Sequence, residues 1–229
     1  HINSENYLKM IDGIVYGDDP RQGYTEGSTF YHPDLKFKYS FPSGWELENS
    51  PAQVNMAPKD DKALIVFTLA SEKSPEEAAQ ATIEQLKLTI LEKKNITVNN
   101  MPALAIVSRQ VSTDQSTGAE STIKILSYFI QNDSRIFVFH GVTAEPDFNL
   151  YRDTFISTMA SFSRLTEPAK INVKPKRILV KKVQRTGTLA DAFTYYGVKQ
   201  SQRAELALLN NLEINDKVQA GKLIKVIGE

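Results

Sequence analysis

Between residues 30 and 70 apolar and polar positions alternate in short runs, and a period of two broken by turn residues marks half-buried strands. The runs are Phe37 to Phe41, Trp45 to Leu47, Val54 to Met56 and Leu64 to Leu69, punctuated by Pro42-Ser43-Gly44 and Pro58-Lys59-Asp60-Asp61. This predicts antiparallel strands joined by tight turns. Ahead of them, Leu8, Ile11 and Val15 behind Ser4 predict a short helix ending near Gly17, and Gly17 to Gly23 reads as surface turn. At Ser74-Pro75-Glu76-Glu77 the period changes. A capping serine, a proline at the first helical position and a capping-box glutamate open a helix whose apolar stripe is Ala79, Ile83, Leu86 and Ile90. Three strands follow, Ala103 to Val111, Thr122 to Ile130 and Arg135 to Val142. The middle one puts Ile123, Ile125 and Phe129 on one face and Leu126, Tyr128 and Ile130 on the other, so both faces need cover. A second helix, striped by Phe148, Tyr151, Phe155, Met159 and Phe162, supplies the second layer. The prediction is an α+β fold, a mainly antiparallel sheet flanked by helices.

After Glu167 the pattern alters again. Glu167 to Pro175 alternates polar residues with two prolines, the composition of an extended linker. Beyond it, strand Ile178 to Val183, helices Leu189 to Tyr196 and Arg203 to Leu209, and strand Leu223 to Ile227 form a small βααβ unit. Charge divides at the same place. Residues 168 to 229 hold 12 Lys and Arg against 5 Asp and Glu, leaving 15 against 22 before them, so the parts carry +7 and −7. The expected division is 1–29, helix and linker; 30–166, the larger domain; 167–176, linker; and 177–229, the small domain.

Composition narrows the chemistry. At 229 residues with 41% hydrophobic and 24% charged content, the chain has material for one or two domains with real cores. The lack of cysteine removes disulfide frameworks, thiolate zinc sites, iron–sulfur ligation and cysteine nucleophiles together. No apolar run approaches the roughly 18 residues of a membrane span. The histidines, His1, His32 and His140, stand at no metal-binding spacing, so H-E-x-x-H is absent, as are the G-x-S-x-G elbow, the P-loop and G-x-G-x-x-G. His32 reads as a turn residue before Pro33, and His140 as a neutral core histidine on a strand. The doublets Asp18-Asp19, Asp60-Asp61 and Glu76-Glu77 lack EF-hand spacing and suit turns and a helix start. Trp45, Phe30 and Tyr31 read as core, with a partner surface as the alternative. The densest basic run, Lys174, Lys176, Arg177, Lys181, Lys182 and Arg185, has only aliphatic residues as its apolar members, which places nucleic acid behind an anionic glycan, a membrane surface or docking to the acidic first domain, docking being the simplest. No cofactor is expected in this chain, and its function is expected to be binding.

Two resemblances extend this reading. Val180 to Val226 resembles a LysM-like module in Val183, Thr188-Leu189, Ala192, Tyr196-Gly197-Val198, Leu209-Asn210, Leu212 and Ala220 to Val226. It departs from that pattern in having Thr186-Gly187 where Gly-Asp is usual, and in a longer segment between Val198 and Asn210. The resemblance implies glycan-binding loops at Thr188, Asn210 and Leu212. Upstream, Tyr7 to Gly23, Phe30, His32-Pro33 and Phe41-Pro42-Ser43-Gly44-Trp45 resemble the region after the catalytic domain of bacterial HtpX-like zinc metallopeptidases. This implies that residues 1–29 come from an upstream protease domain, the chain being a processed product or excised fragment. It also implies a PsbP/Mog1-like domain, and zinc only in that upstream domain. The expected partners are then the upstream protease domain, an envelope protein or peptidoglycan, in the periplasm or cell envelope.

Overall fold

The structure, a computed structural model, describes residues 4–113, 116 and 118–228. The helices are α1 (Ser4–Ile11), α2 (Pro75–Leu86), α3 (Phe148–Ala160), α4 (Pro168–Ile171), α5 (Leu189–Tyr195) and α6 (Arg203–Leu209). The strands are β1 (Tyr24–Glu26), β2 (Thr29–His32), β3 (Phe37–Ser40), β4 (Glu46–Asn49), β5 (Gln53–Ala57), β6 (Ala63–Ala70), β7 (Thr89–Val98), β8 (Met101–Thr113), β9 (Glu120–Asn132), β10 (Arg135–Ala144), β11 (Ser163–Arg164), β12 (Arg177–Lys182), β13 (Gly187–Thr188), β14 (Lys217–Val218) and β15 (Leu223–Gly228). They divide into two compact units, Gly23–Ile171 and a discontinuous one of His1–Gln22 with Asn172–Glu229.

The larger unit is α+β. Its main sheet has seven strands in the order β4-β5-β6-β10-β9-β8-β7, every neighbouring pair antiparallel. A second sheet, β1-β2-β3-β11, contributes Phe30, Phe37 and Tyr39 to an aromatic core with Phe67, Phe137, Phe139 and Phe162. The rings of Phe67 and Phe139 lie 4.6 Å apart, and Phe37 meets Phe137 edge-on at 5.1 Å. Each fully buried ring contributes about 1.5–3 kcal/mol of transfer free energy. α3 completes this side with Phe148, Phe155 and Met159. Gly141 sits beneath Phe155, where an added Cβ would come within 2.4 Å of the ring. A side chain there would displace the helix from the sheet. On the opposite face α2 lays Ala78, Ala79 and Ile83 over Leu104, Ile106, Phe129, Ile136 and Val138. Ser74 caps α2 by accepting from the Glu77 backbone N–H.

The predicted stripe of α2 is too long by one residue type. The helix ends at Leu86, because Lys87 turns left-handed at φ 52°, and Ile90 belongs to the edge strand β7. Thr89, Ile90, Ile96, Thr97 and Val98 favour a strand through their branched Cβ atoms, and Asn99 and Asn100, both at positive φ, turn the chain into β8. A meander of four long strands thus replaces the expected three. Residues 24–32 form a hairpin that the pattern did not announce, and Pro168 starts a helical turn, α4, inside the expected extended linker.

In the discontinuous unit β12 and β15 pair antiparallel around two helices, the βααβ order expected. Val183, Leu189, Phe193, Leu206, Val218, Ile224 and Val226 form its core. Residues 1–22 group here, whereas the metallopeptidase resemblance assigns 1–29 to an upstream domain. α1 is shorter than its stripe suggests, stopping at Ile11 before Gly13 at φ 84°. Val15 instead bridges Arg177. Gly13 N–H donates to Ile178 O at 2.7 Å, Ile178 N–H to Ile14 O at 2.8 Å and Tyr16 N–H to Lys176 O at 2.7 Å, so this segment acts as a further strand on β12. The Asp12 carboxylate accepts from Val180 N–H at 2.8 Å.

Candidate functional site

The groups able to exchange protons serve structure. His140 Nδ1 lies 2.8 Å from Ser127 Oγ, its ring edge-on to Phe129 at 5.9 Å, and desolvation pulls its pKa from 6.5 down to about 4. Ser127 is 2% exposed, so its hydroxyl is closed to a substrate, while His140 is half-buried. His32 Nδ1 accepts from Leu35 N–H at 3.2 Å, closing the turn before β3, and burial lowers its pKa too. His1 lies outside the described residues. Asp19 binds Arg21, whose guanidinium holds the carboxyl below its ordinary range. Asp60 accepts from Lys62 N–H at 3.3 Å in the turn before β6. Glu77 accepts from Lys73 N–H at the start of α2. Among the described residues no group of three or more His, Cys, Asp or Glu could hold a metal ion, so the residues present do not fit the zinc of a metallopeptidase. Phe30 is fully buried, Tyr31 stacks on Tyr24 at 5.3 Å, and Trp45 packs edge-on to Tyr151.

The residues at the implied glycan loops carry local structure. Thr188 caps α5: its Oγ1 accepts from Asp191 N–H at 3.1 Å and donates to Asp191 Oδ2 at 2.7 Å, while Thr188 N–H donates to the same oxygen at 2.8 Å. These bonds hold the Asp191 carboxyl below its ordinary pKa. Asn210 spends its amide joining α6 to β15, donating to Leu206 O and Lys225 O at 2.8 Å and accepting from Lys225 N–H at 2.7 Å. Leu212 packs against the core.

The basic run is dispersed along its strand. Arg177 donates to Gly13 O at 2.5 Å, anchoring the segment after α1. Lys174 and Lys176 are exposed ahead of β12, and Lys181 is half-buried on it. Lys182 and Arg185 are exposed at and just beyond its far end, Lys182 about 20 Å from Lys176 at the rise of an extended chain.

A cleft of about 370 Å³ opens there, lined by the loop Val183 to Gly187 and by Asp191, Thr194, Tyr195 and Tyr196 of the first helix and its end. Its size falls within the roughly 300–1,000 Å³ of small-ligand pockets. The wall is fixed by its own hydrogen bonds: Tyr196 Oη donates to Lys182 O at 2.5 Å, and Gln184 Nε2 donates to the same carbonyl at 2.9 Å and to Tyr196 Oη at 3.3 Å. Tyr195, 64% exposed, stands edge-on to Tyr196 at 4.9 Å. Arg185 has no hydrogen-bond or ion-pair partner among the described residues, and Asp191 Oδ1 is likewise unpartnered. Of the residues singled out from sequence, Arg185 of the basic run and Val183, Thr186, Gly187, Ala192 and Tyr196 of the LysM-like resemblance line this cleft. Tyr195 drew no attention because it reads as part of a helix end, and only the register of β12 with its neighbours brings the 183–187 loop against that end.

No protein-family model matches the chain, and no curated protein does. Among solved structures it is similar to cyanobacterial PsbP from Synechocystis, at 13% identity and TM-score 0.48, covering 61% of this chain and 94% of that one. It is also similar to the Ran-binding protein Mog1p of Saccharomyces cerevisiae, at 12% identity and TM-score 0.45, covering 62% and 97%. LpqN of Mycobacterium tuberculosis, involved in cell envelope biogenesis, shares 15% identity at TM-score 0.40, covering 71% and 96%. No ligand, partner or activity passes from them to this chain.

Proposed function

We propose that this chain is a noncatalytic accessory region that works by binding, and that it serves an HtpX-like zinc metallopeptidase of the bacterial envelope whose catalytic domain lies upstream. The observation that carries the binding reading is the disposition of polar groups. His32, His140, Asp60, Glu77 and Asp191 Oδ2 are held by turn, cap or core hydrogen bonds, whereas the Arg185 guanidinium and Asp191 Oδ1, without a hydrogen-bond or ion-pair partner among the described residues, and exposed Tyr195 line one cleft. The protease parentage rests on the sequence resemblance of residues 7–45, and with it the periplasmic or envelope location. The reading frame that encodes the residues before His1 tests it: an H-E-x-x-H motif on a helix is expected, and its absence removes the parent enzyme.

A second reading takes the βααβ unit as a LysM-like module that binds peptidoglycan. The cleft beside the Thr188 cap favours it, since two tyrosine rings and a free guanidinium suit a hydroxylated ring ligand. Co-sedimentation of the full chain with peptidoglycan sacculi is the test, and a chain that stays in the supernatant refutes this reading.

A further inference from the structure

The main sheet of the larger unit ends on β7, and among the described residues no strand pairs with its outer side. The outward N–H and C=O groups of such an edge are a template for another strand. Protected edges are short or covered, but β7 runs for ten residues from Thr89 to Val98, and eight of the ten are exposed. Ile90 and Leu91 are 43% and 42% exposed. Gln110 Nε2 donates to Leu86 O at 2.7 Å, so exposed Leu86 and Val111 lie at this end of the edge too. Lys93 and Lys94 are residues that discourage pairing when nothing offsets them. Glu92 stands beside them, and none of the three is in an ion pair among the described residues.

Strand geometry restricts which partner fits. In an antiparallel pair, opposite residues point their N–H and C=O either both toward the other strand or both away, and neighbours along a strand alternate. Two copies of one strand related by a two-fold axis can therefore meet only with the axis at a residue that faces itself. The ladder with β8 shifts register between Ile90 and Glu92, so the regular part of β7 is Glu92 to Val98. An axis at Glu92 sets two carboxylates face to face. At Lys94 it sets two ammonium groups face to face and Glu92 opposite Ile96, and at Asn95 or beyond Glu92 finds no basic partner. At Lys93 it sets Glu92 opposite Lys94 of the second copy and Lys94 opposite that copy's Glu92, two ion pairs on one face against a single Lys93 contact on the other. Ile90 and Leu91 then lie beside Asn95 and Ile96 of the second copy. We propose that the larger unit dimerises through β7, antiparallel about Lys93, joining two seven-stranded sheets into one. The interface is isologous, so assembly closes at two copies. The proposal concerns the chain's own copy number and is independent of the binding reading above.

The chain lacks cysteine, so single introduced cysteines report the register cleanly. In this dimer the Cα atoms of the two residues 93 are about 4.5–5.5 Å apart, within disulfide reach, whereas those of the two residues 95 are about 14 Å apart along the strands. Under a mild oxidant, Lys93→Cys is expected to give a disulfide-linked dimer and Asn95→Cys none. Sedimentation velocity of the full chain at concentrations up to about 200 µM should show a reversible dimer, weak as suits a single-strand interface. Glu92→Lys and Lys94→Glu each weaken it at least about fivefold, and the double exchange restores it to within about threefold of wild type. Lys93→Thr removes the like-charge contact and tightens the dimer at least about threefold. Circular dichroism melts identify any variant that has lost its fold, and the two cysteine variants then decide. Wild type that stays monomeric throughout overturns the proposal, as does a dimer indifferent to either charge reversal or a double exchange that does not recover. Asn95→Cys that cross-links as readily as Lys93→Cys also overturns it.

Discussion

Acid should weaken the larger unit through one residue. His140 stays neutral in the folded chain, its pKa pulled to about 4 from 6.5 because its ring is packed against Phe129 and bonded to buried Ser127. The unfolded chain takes up a proton near pH 6.5 and the folded chain only near 4, so between these values the unfolded state binds more protons. Stability from this group is fully present above pH 6.5, falls through the window and levels off below about 4. A shift of this size corresponds to about 3 kcal/mol at the plateau and about 2 kcal/mol at pH 5, at about 1.36 kcal/mol per pKa unit. Both are upper bounds, since His140 keeps some contact with water. Urea unfolding followed by fluorescence, for wild type and His140→Gln at pH 7 and pH 5, isolates the effect, because the other titrating groups cancel in the difference. Wild type should lose between about 1 and 2 kcal/mol more than the variant over that interval. Parallel losses, or an NMR titration of the His140 ring with its midpoint at 6 or above, would refute the reasoning.

Three further outcomes follow from packing and capping. Gly141→Ala drives a methyl into the Phe155 ring and should destabilise the larger unit by about 2–4 kcal/mol, read as a lower urea midpoint. Asn210→Ala leaves the Lys225 N–H and C=O without their side-chain partners, while Leu206 O keeps the residue 210 backbone N–H, so a loss of about 1–3 kcal/mol is expected in the βααβ unit; an unchanged melt would assign Asn210 a surface role instead. Lys87→Gly relieves the left-handed backbone at the end of α2 and should raise stability by up to about 1 kcal/mol, provided the melting temperature rises and does not fall.

Elements with strong periodicity were legible. The α2 start at Ser74-Pro75, the α3 stripe from Phe148 to Met159 and the helix Arg203–Leu209 could be read directly, because capping chemistry and a spacing of three and four are local properties, whereas Phe162 packs into the core from beyond the end of α3 at Ala160. β7 was not, since Ile90 continues a helical spacing past Leu86, and only the left-handed turn at Lys87 redirects it into a strand. Nor was the place of residues 1–22, whose attachment to β12 is a backbone pairing made across about 160 residues and leaves no mark in local pattern. The cleft behaves likewise. Arg185 stood out by charge, but only strand register sets its loop against Tyr195 and Tyr196.

The central claim is that this polypeptide holds a partner and does not break bonds in it. The most direct measurement incubates the purified full chain with unfolded casein, with added zinc and with chelator, and follows fragments by mass spectrometry. No fragments in either condition are predicted; fragments that appear with zinc and vanish with chelator would contradict the account.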